Sequence, residues 1–409
     1  MNAPHLAKDS PPVAPYELPG RALTVLIAVP TLESGAADAG ALGLVRILSA
    51  AGHRTIVASR GGPLAADVRE AGGECITLDM ASRNPIAMLR NTVALARLVR
   101  ERGCDIVHAH GRAPAWCAYI AARVTGVPFL TTWYKGFREQ NAFKRIYNRV
   151  MARGDRVIAV SDQLAELINE RYGTPFDRIA VVPSCVDLGR FDPAAVPEER
   201  VRAVRRAWGV ADDARVILSV GRMRHRKGHH VMVRAAVRLK AMGLKDFVCV
   251  FAAEDQGTRY AAELWDSVLA AGCSDVIRMT GPLDDPPAAY AAGAAVVSAA
   301  VQPEGLQRAL LEAQAMERPV VVSDAAAGGD VVLTPPAVGD DRITGLRFST
   351  GDDAALAAAL IRLFSMPDPA RRAMGQRGRA WVLGHFSLTA AAEQTLRLYA
   401  DVAGGTKAA

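Results

Sequence analysis

Short, mainly apolar runs, each followed by a helical stretch, recur along the chain in two successive series, and nothing else constrains its fold as strongly. In the first half the runs are Leu23–Val29, Thr55–Ala58, Cys75–Leu78, Asp105–Ala109, Pro128–Trp133, Arg156–Val160 and Ile179–Val182. The second half repeats the scheme at Arg215–Val220, Phe247–Ala252, Val276–Thr280, Ala295–Ser298, Pro319–Ser323 and Gly345–Phe348. Strands without polar alternation are covered on both faces, which is the mark of a parallel sheet built from strand–helix–strand units. The expected fold class is α/β, with two Rossmann-like parallel-sheet domains facing a cleft, and ligands sit at the carboxyl ends of the strands in such folds. The pattern predicts a disordered leader over 1–20, a first domain over 21–186, a linker over 187–213 with Pro193 and Pro197, a second domain over 214–380, and a C-terminal helix and tail over 381–409.

With 409 residues, half of them apolar, the chain is long enough for two cores. The most apolar stretch, Ala288 to Val301, is broken by Gly293 and Ser298, so a spanning helix is not expected. Pro4, Asp9, Pro11, Pro12 and Pro15 replace the apolar core of a signal peptide, which predicts a cytoplasmic protein. The six cysteines form no CxxC pair and read as reduced thiols. A net charge of +7 suits an anionic partner: nucleic acid, an acidic membrane or a phosphorylated small molecule. Aromatic residues make up only 6% with no interleaving of basic residues, which speaks against single-stranded nucleic acid. Neither G-x-G-x-x-G nor G-x-x-x-x-G-K-[ST] occurs, which disfavours a nicotinamide enzyme and a P-loop ATPase; without H-E-x-x-H or a Cys/His cluster no metal site is expected.

Two segments could carry chemistry. Gly221-Arg222-Met223-Arg224-His225-Arg226-Lys227-Gly228 follows the first strand of the second half and precedes a helix. Backbone N–H groups, the helix dipole and several cations would converge there on a diphosphate, with Arg222 and Lys227 as its ligands; a solvated basic loop is the other reading. Pro303-Glu304-Gly305-Leu306 opens a helix whose apolar stripe is Leu306, Ala309, Leu310, Ala313 and Met316, with Glu312 beside it. Carboxylates accept hydrogen bonds from vicinal hydroxyls, so Glu304 and Glu312 could hold a hexose and a ribose; alternatively Glu304 stabilises the helix dipole and Glu312 is a surface residue.

Taken together, these segments resemble the family 4 retaining glycosyltransferases of the GT-B fold, of the bacterial cell-envelope polysaccharide and lipopolysaccharide type. Glu304 and Glu312 match the E-x7-E signature, Gly221-Arg222 with Lys227-Gly228 is similar to the diphosphate turn, and Asp105 to His110, Val160-Ser161 and Val182-Pro183 before Val186-Asp187 follow in order. The resemblance implies that Arg222 and Lys227 bind the donor diphosphate, that Glu312 takes the ribose, and that Glu304 contacts the transferred sugar. It implies that the backbone at Gly305, Leu306 and Gln307 completes the phosphate cradle, and that the C-terminal helix returns to the first domain. It further implies metal-independent transfer without a cofactor, the nucleotide-sugar being a co-substrate and a glycan or lipid-linked molecule the acceptor.

The first loop, which the resemblance implies lies near the donor phosphate and acceptor, keeps Gly35 as a substrate-binding residue but has Ala36 where the family carries a second glycine, and Tyr134-Lys135-Gly136 stands where His-Gly is usual. Ser184-Cys185 replaces Asn-Gly, and Gln307 replaces a small residue. Lys135 or Tyr134 could meet phosphate or acceptor hydroxyls, and His110, at a neighbouring strand end, is a further catalytic candidate or a packed hydrogen-bonding residue. Acceptor recognition is expected at Arg83 to Asn91 and Lys135 to Arg153. In the latter, Phe143, Ile146, Tyr147, Val150 and Met151 form one face flanked by Lys144, Arg145, Arg149 and Arg153, suited to an anionic membrane or to ordinary packing on its own sheet. A non-catalytic scaffold of the same fold is the alternative to an enzyme of this family, and a sugar-nucleotide epimerase is a third reading.

Overall fold

The computed structural model describes residues 21–33, 35–134, 142–183, 185–254, 256–302, 304, 306–326 and 331–405. The chain divides into two units, one comprising the chain up to Cys185 together with the stretch from Leu388 onward, the other Val186–Ser387. The first unit runs β1 (Thr24–Ala28), α1 (Ala36–Ala50), β2 (Arg54–Ser59), α2 (Ala65–Glu70), β3 (Glu74–Thr77), α3 (Pro85–Arg102), β4 (Ile106–Ala109), α4 (Arg112–Thr125), β5 (Phe129–Trp133), α5 (Ala142–Asn148), β6 (Arg156–Ala159), α6 (Asp162–Tyr172) and β7 (Ile179–Val181). The second runs α7 (Glu198–Ala207), β8 (Arg215–Arg222), α8 (His229–Ala241), β9 (Phe247–Glu254), α9 (Arg259–Ala270), β10 (Ile277–Thr280), α10 (Pro286–Ala292), β11 (Ala295–Ser298), α11 (Arg308–Ala315), β12 (Val320–Ser323), β13 (Gly345–Phe348), α12 (Asp353–Phe364) and α13 (Asp368–His385). The last helix, α14 (Leu388–Gly405), belongs to the first unit.

All strand pairs are parallel, in the orders β3-β2-β1-β4-β5-β6-β7 and β10-β9-β8-β11-β12-β13. Each expected apolar run is a strand because successive residues feed opposite faces: in β8, Ile217 enters one core of the second unit and Val216 and Leu218 the other. Side-chain caps at Asn84, Ser161, Thr258, Asp285 and Asp352 start helices, and Gly103, Gly126 and Gly173 end them in the left-handed region. The strand order reverses between β1 and β4 in one sheet and between β8 and β11 in the other, and these are the positions where loops diverge and leave room for a ligand.

The structure departs from the sequence reading at two boundaries, and a third expectation is not reached by it. The leader expected over 1–20 lies outside the described residues. Residues 187–213 form no linker between units but belong to the second: buried Arg205 on α7 donates to the carbonyls of Ala292 (3.1 Å), Ala211 (2.6 Å) and Ala214 (2.6 Å), and Phe191 packs edge-on against Tyr290. The helix expected from Trp381 is two helices, because Trp381 to His385 close α13 and the chain turns at Phe386 and Ser387 before α14. On α14, Leu396 and Tyr399 complete the core behind β1 and β4, where the Tyr399 hydroxyl meets His108 Nδ1 at 2.5 Å.

Candidate active site

At the switch point of the second sheet, β8 ends in Gly221-Arg222 and the chain enters a 3-10 turn, His225–Lys227, before α8. Buried Met223 anchors this basic turn in the core. Gly228 ends it at φ +74°, and a Cβ there would lie 1.7 Å from the Ala299 carbonyl oxygen, so only glycine lets the turn press against the end of β11. The Val301 N–H donates to the Arg226 carbonyl (2.9 Å), tying the loop after β11 to the same turn. His229 is buried and its pKa falls to about 4, first through burial and then through Lys227 and His230; a hydrogen bond to the Arg224 backbone steadies the turn from behind.

These constraints bring the turn to the E-x7-E segment. Lys227 Nζ pairs with Glu304 Oε2, and Arg226 Nη1 lies 3.2 Å from Glu304 Oε1, with the Glu304 side chain only 7% exposed. Glu304 is positioned from β12 as well, since its N–H donates to the Ala325 carbonyl (3.3 Å). Eight residues on, Glu312 accepts from the Tyr290 hydroxyl at 2.8 Å on one oxygen and from Arg308 Nη2 at 3.1 Å on the other. Tyr290 is fully buried, and burial followed by the Glu312 charge pushes its pKa well up, so it stays a neutral donor. Gln307 ties the two loops together: Ser298 Oγ donates to its Oε1 (2.8 Å) and its Nε2 donates to the Ala326 carbonyl (3.2 Å). No side chain caps α11, whose N-terminal turn begins just after Gln307.

The expected residues therefore separate into groups. Lys227 and Glu304 are in direct contact, Glu312 is held by α10 and its own helix, and Leu306 is half-buried against the core. The Gln307 side chain is spent between β11 and β12, so only its backbone faces the expected cradle. Arg222 closes β8 in register with Glu254, while Gly305 and Lys135 lie outside the described residues. Arg226 and Tyr290 were missed by sequence reasoning: nothing in the turn's sequence separates Arg226 from its neighbours, and Tyr290 meets Glu312 only through the fold.

The switch point of the first sheet carries a separate polar cluster. Gly35 N-caps α1 and its N–H donates to Asp38 Oδ2 (3.0 Å), which also accepts from the Glu33 N–H and the Thr31 hydroxyl (both 3.2 Å). This use of buried Asp38 was legible as a Gly-x-x-Asp helix start but was not singled out. Tyr134 donates to or accepts from His110 Nδ1 at 2.8 Å, and a Cβ on Gly40 would lie 2.1 Å from the Tyr134 hydroxyl, so Tyr134 rests directly on α1. His110 is 1% exposed, and burial lowers its pKa to about 4. It is thus neutral near pH 7 and its Nδ1 is engaged with Tyr134, so in this structure it buttresses that side chain.

Two doubly wound parallel sheets, the second with cations and carboxylates gathered at its switch point, define a two-domain Rossmann-type enzyme for phosphate-bearing small molecules. Residues 39–190 match the Glycosyltransferase Family 4 model and residues 214–366 match Glycosyl transferases group 1. A D-inositol 3-phosphate glycosyltransferase of Kineococcus radiotolerans is 32% identical over 73% of this chain and 72% of its own length. The aligned stretches span 66–74% of the first five such relatives. A glycosyltransferase structure from Rickettsia africae superposes with a TM-score of 0.83 at 26% identity, covering 94% of this chain and 99% of that one. Anabaena HepE in complex with UDP-glucose shares the fold at a TM-score of 0.77 and 17% identity, covering 93% and 100%. The chain belongs to the family 4 and group 1 glycosyltransferases, has the GT-B fold, and is a glycosyltransferase of the type that uses nucleotide-sugars.

Proposed function

We propose that this enzyme transfers a sugar, with retention of anomeric configuration and without a metal or other cofactor, from a nucleotide-sugar to a glycan or lipid-linked acceptor of cell-envelope polysaccharide or lipopolysaccharide synthesis. The observation that carries the donor side is the meeting of Lys227 and Arg226 with Glu304 at the β8/β11 switch point. An incoming diphosphate takes over the cations, which frees the Glu304 carboxylate for hydroxyls of the transferred sugar. Arg222, Lys227 and the uncapped N-terminal turn of α11 then lie where negative charge grows on the departing nucleoside diphosphate. Glu312, fixed by Tyr290 and Arg308, receives the ribose hydroxyls. Bond breaking and bond making occur on the same face of the sugar, and the acceptor hydroxyl proton leaves with the diphosphate.

A second acceptor chemistry has support of its own: the relatives named D-inositol 3-phosphate glycosyltransferases favour a phosphorylated cyclitol. A cytoplasmic location, peripheral at an anionic membrane, accompanies the lipid-linked reading. The test is release of nucleoside diphosphate together with a new glycoside, assayed over a panel of sugar nucleotides with lipid-linked glycans and with D-inositol 3-phosphate. Removing one contact to a developing charge costs about 3–4 kcal/mol, so Lys227→Ala and Glu304→Gln should each lower transfer at least roughly tenfold while the protein stays folded. Near-normal turnover in both would reject the site. Neither product from any pair would favour a scaffold, and conversion of the sugar-nucleotide alone an epimerase.

A further inference from the structure

Of the thirteen large apolar side chains that stand exposed among the described residues, seven lie on three neighbouring helices of the first unit. On α3, Ile86, Leu89 and Val93 follow one another at helical spacing and are each 61–65% exposed. Ile120 and Val124 stand exposed on α4, and Phe143 and Ile146 on α5. The three helices are fastened side by side: Arg100 on α3 donates to the Val124 carbonyl (3.5 Å), and Trp116 on α4 donates to the Tyr147 carbonyl (3.1 Å). This differs from the face read from sequence over Lys135 to Arg153, because α5 stops at Asn148 and Val150 and Met151 turn into the core.

Charge identifies the occupant. From α3 through α5 and the 3-10 turn at 149–152, the helical residues include nine arginines and lysines against the single acid Glu101; Arg97, Arg102 and Arg123 pair with Glu101, Glu74 and Asp155, and the other six cations keep the face positive. Beside Ile146 a recess of about 380 Å³ is lined by Arg145, Arg149 and Arg171 together with Glu170, large enough for a phosphate headgroup. A second copy of this chain would bring the same positive charge against itself. An anionic bilayer instead neutralises the arginines at headgroup level and accepts the apolar side chains just below it. Among the described residues no helix is long and apolar enough to cross a membrane, so such contact is at the surface only. We infer, resting on the peripheral-membrane reading proposed above, that the α3–α4–α5 face of the first unit is what docks on the surface of an anionic phospholipid bilayer, with Ile86, Leu89 and Val93 as its insertion stripe.

The test is flotation of the full chain with phosphatidylcholine vesicles, with and without phosphatidylglycerol. The wild type should float with the anionic vesicles only, and less so as salt rises. The pair Leu89→Glu and Val93→Glu, on a solvent-facing stripe, should lower that partitioning about tenfold or more while keeping the wild-type melting temperature and nucleotide affinity. A Leu89→Trp variant gives an independent readout, since its emission should shift to the blue on anionic vesicles alone. Absence of flotation, equal flotation of the doubly charged variant, no spectral shift, or a dimer that the pair of substitutions dissociates would each overturn the assignment.

Discussion

Replacing Tyr290 with phenylalanine removes one oxygen and leaves the ring edge-on against Phe191, so the variant isolates the bond to Glu312. A hydrogen bond to a charged group is worth about 1.5–3 kcal/mol net. The donor is fully buried, but the Glu312 side chain keeps 14% exposure through which water can replace the lost partner, which sets the expected loss at the low end, about 1.5 kcal/mol. Arg308 remains on the other oxygen, but its side chain is 41% exposed and such an i,i+4 pair contributes only about 0.3–0.5 kcal/mol, too little to hold the carboxylate in place. For a domain of this size each kcal/mol moves the melting temperature by roughly 2–4 °C, so a fall of about 3–6 °C is expected by calorimetry. If Glu312 takes the ribose, calorimetric titration should also show up to about a tenfold weaker affinity for nucleoside diphosphates, the equivalent of 1.4 kcal/mol, with a smaller loss for 2′,3′-dideoxy analogues. Unchanged melting temperature with unchanged affinity would refute the positioning role of Tyr290. A thermal loss that is equal with ribose and dideoxyribose ligands would leave Glu312 a purely structural anchor.

Acid should weaken the fold in a defined window. His110 and His229 are held at a pKa of about 4 by burial, against about 6.5 in an unfolded chain, so below about pH 6.5 the unfolded state binds protons that the native state refuses. Stability is therefore intact above that point and should fall by about 1.4 kcal/mol per pH unit for each of the two down to about pH 4; melting temperatures that stay flat from neutrality to pH 5 would contradict it. Gly40→Ala should displace Tyr134, since the new methyl would lie 2.1 Å from its hydroxyl and 2.5 Å from its ring, and should cost about 1–3 kcal/mol of overpacking. In a Tyr134→Ala background the same change should become neutral or stabilising, and additive melting data from the four proteins would show that the two residues do not touch.

The strands were legible in the sequence because a parallel sheet covered on both sides leaves mainly apolar runs, and the loops after β8 and β11 were legible because cations and carboxylates are conspicuous where strands end. What stayed hidden depends on groups far apart in the chain. Nothing local marks Arg205 as the bolt that makes 187–213 part of the second unit, since its three carbonyl acceptors lie up to 87 residues away. Tyr290 reads as one aromatic in an alanine-rich helix until α11 folds beside it. Gln307 looked like a substitution in a phosphate cradle, yet its amide is occupied in joining β11 to the turn after β12. Phe143 and Ile146 were read correctly as one side of a helix, but periodicity alone could not tell which turn would bury its residues, and Val150 and Met151 went inward.

The excursion of α14 back to the first sheet bears on how the molecule is made. Every strand of that sheet has left the ribosome long before residue 388, yet Leu396 and Tyr399, which seal the inner side of β1 and β4, emerge only afterwards. The second unit, continuous in sequence, can finish first, which inverts the usual order in which the N-terminal part of a chain folds ahead of the rest. Until then, the half of the protein born earliest carries an open greasy seam and a His108 whose Nδ1 lacks its Tyr399 partner, and is the part most in need of a chaperone's protection.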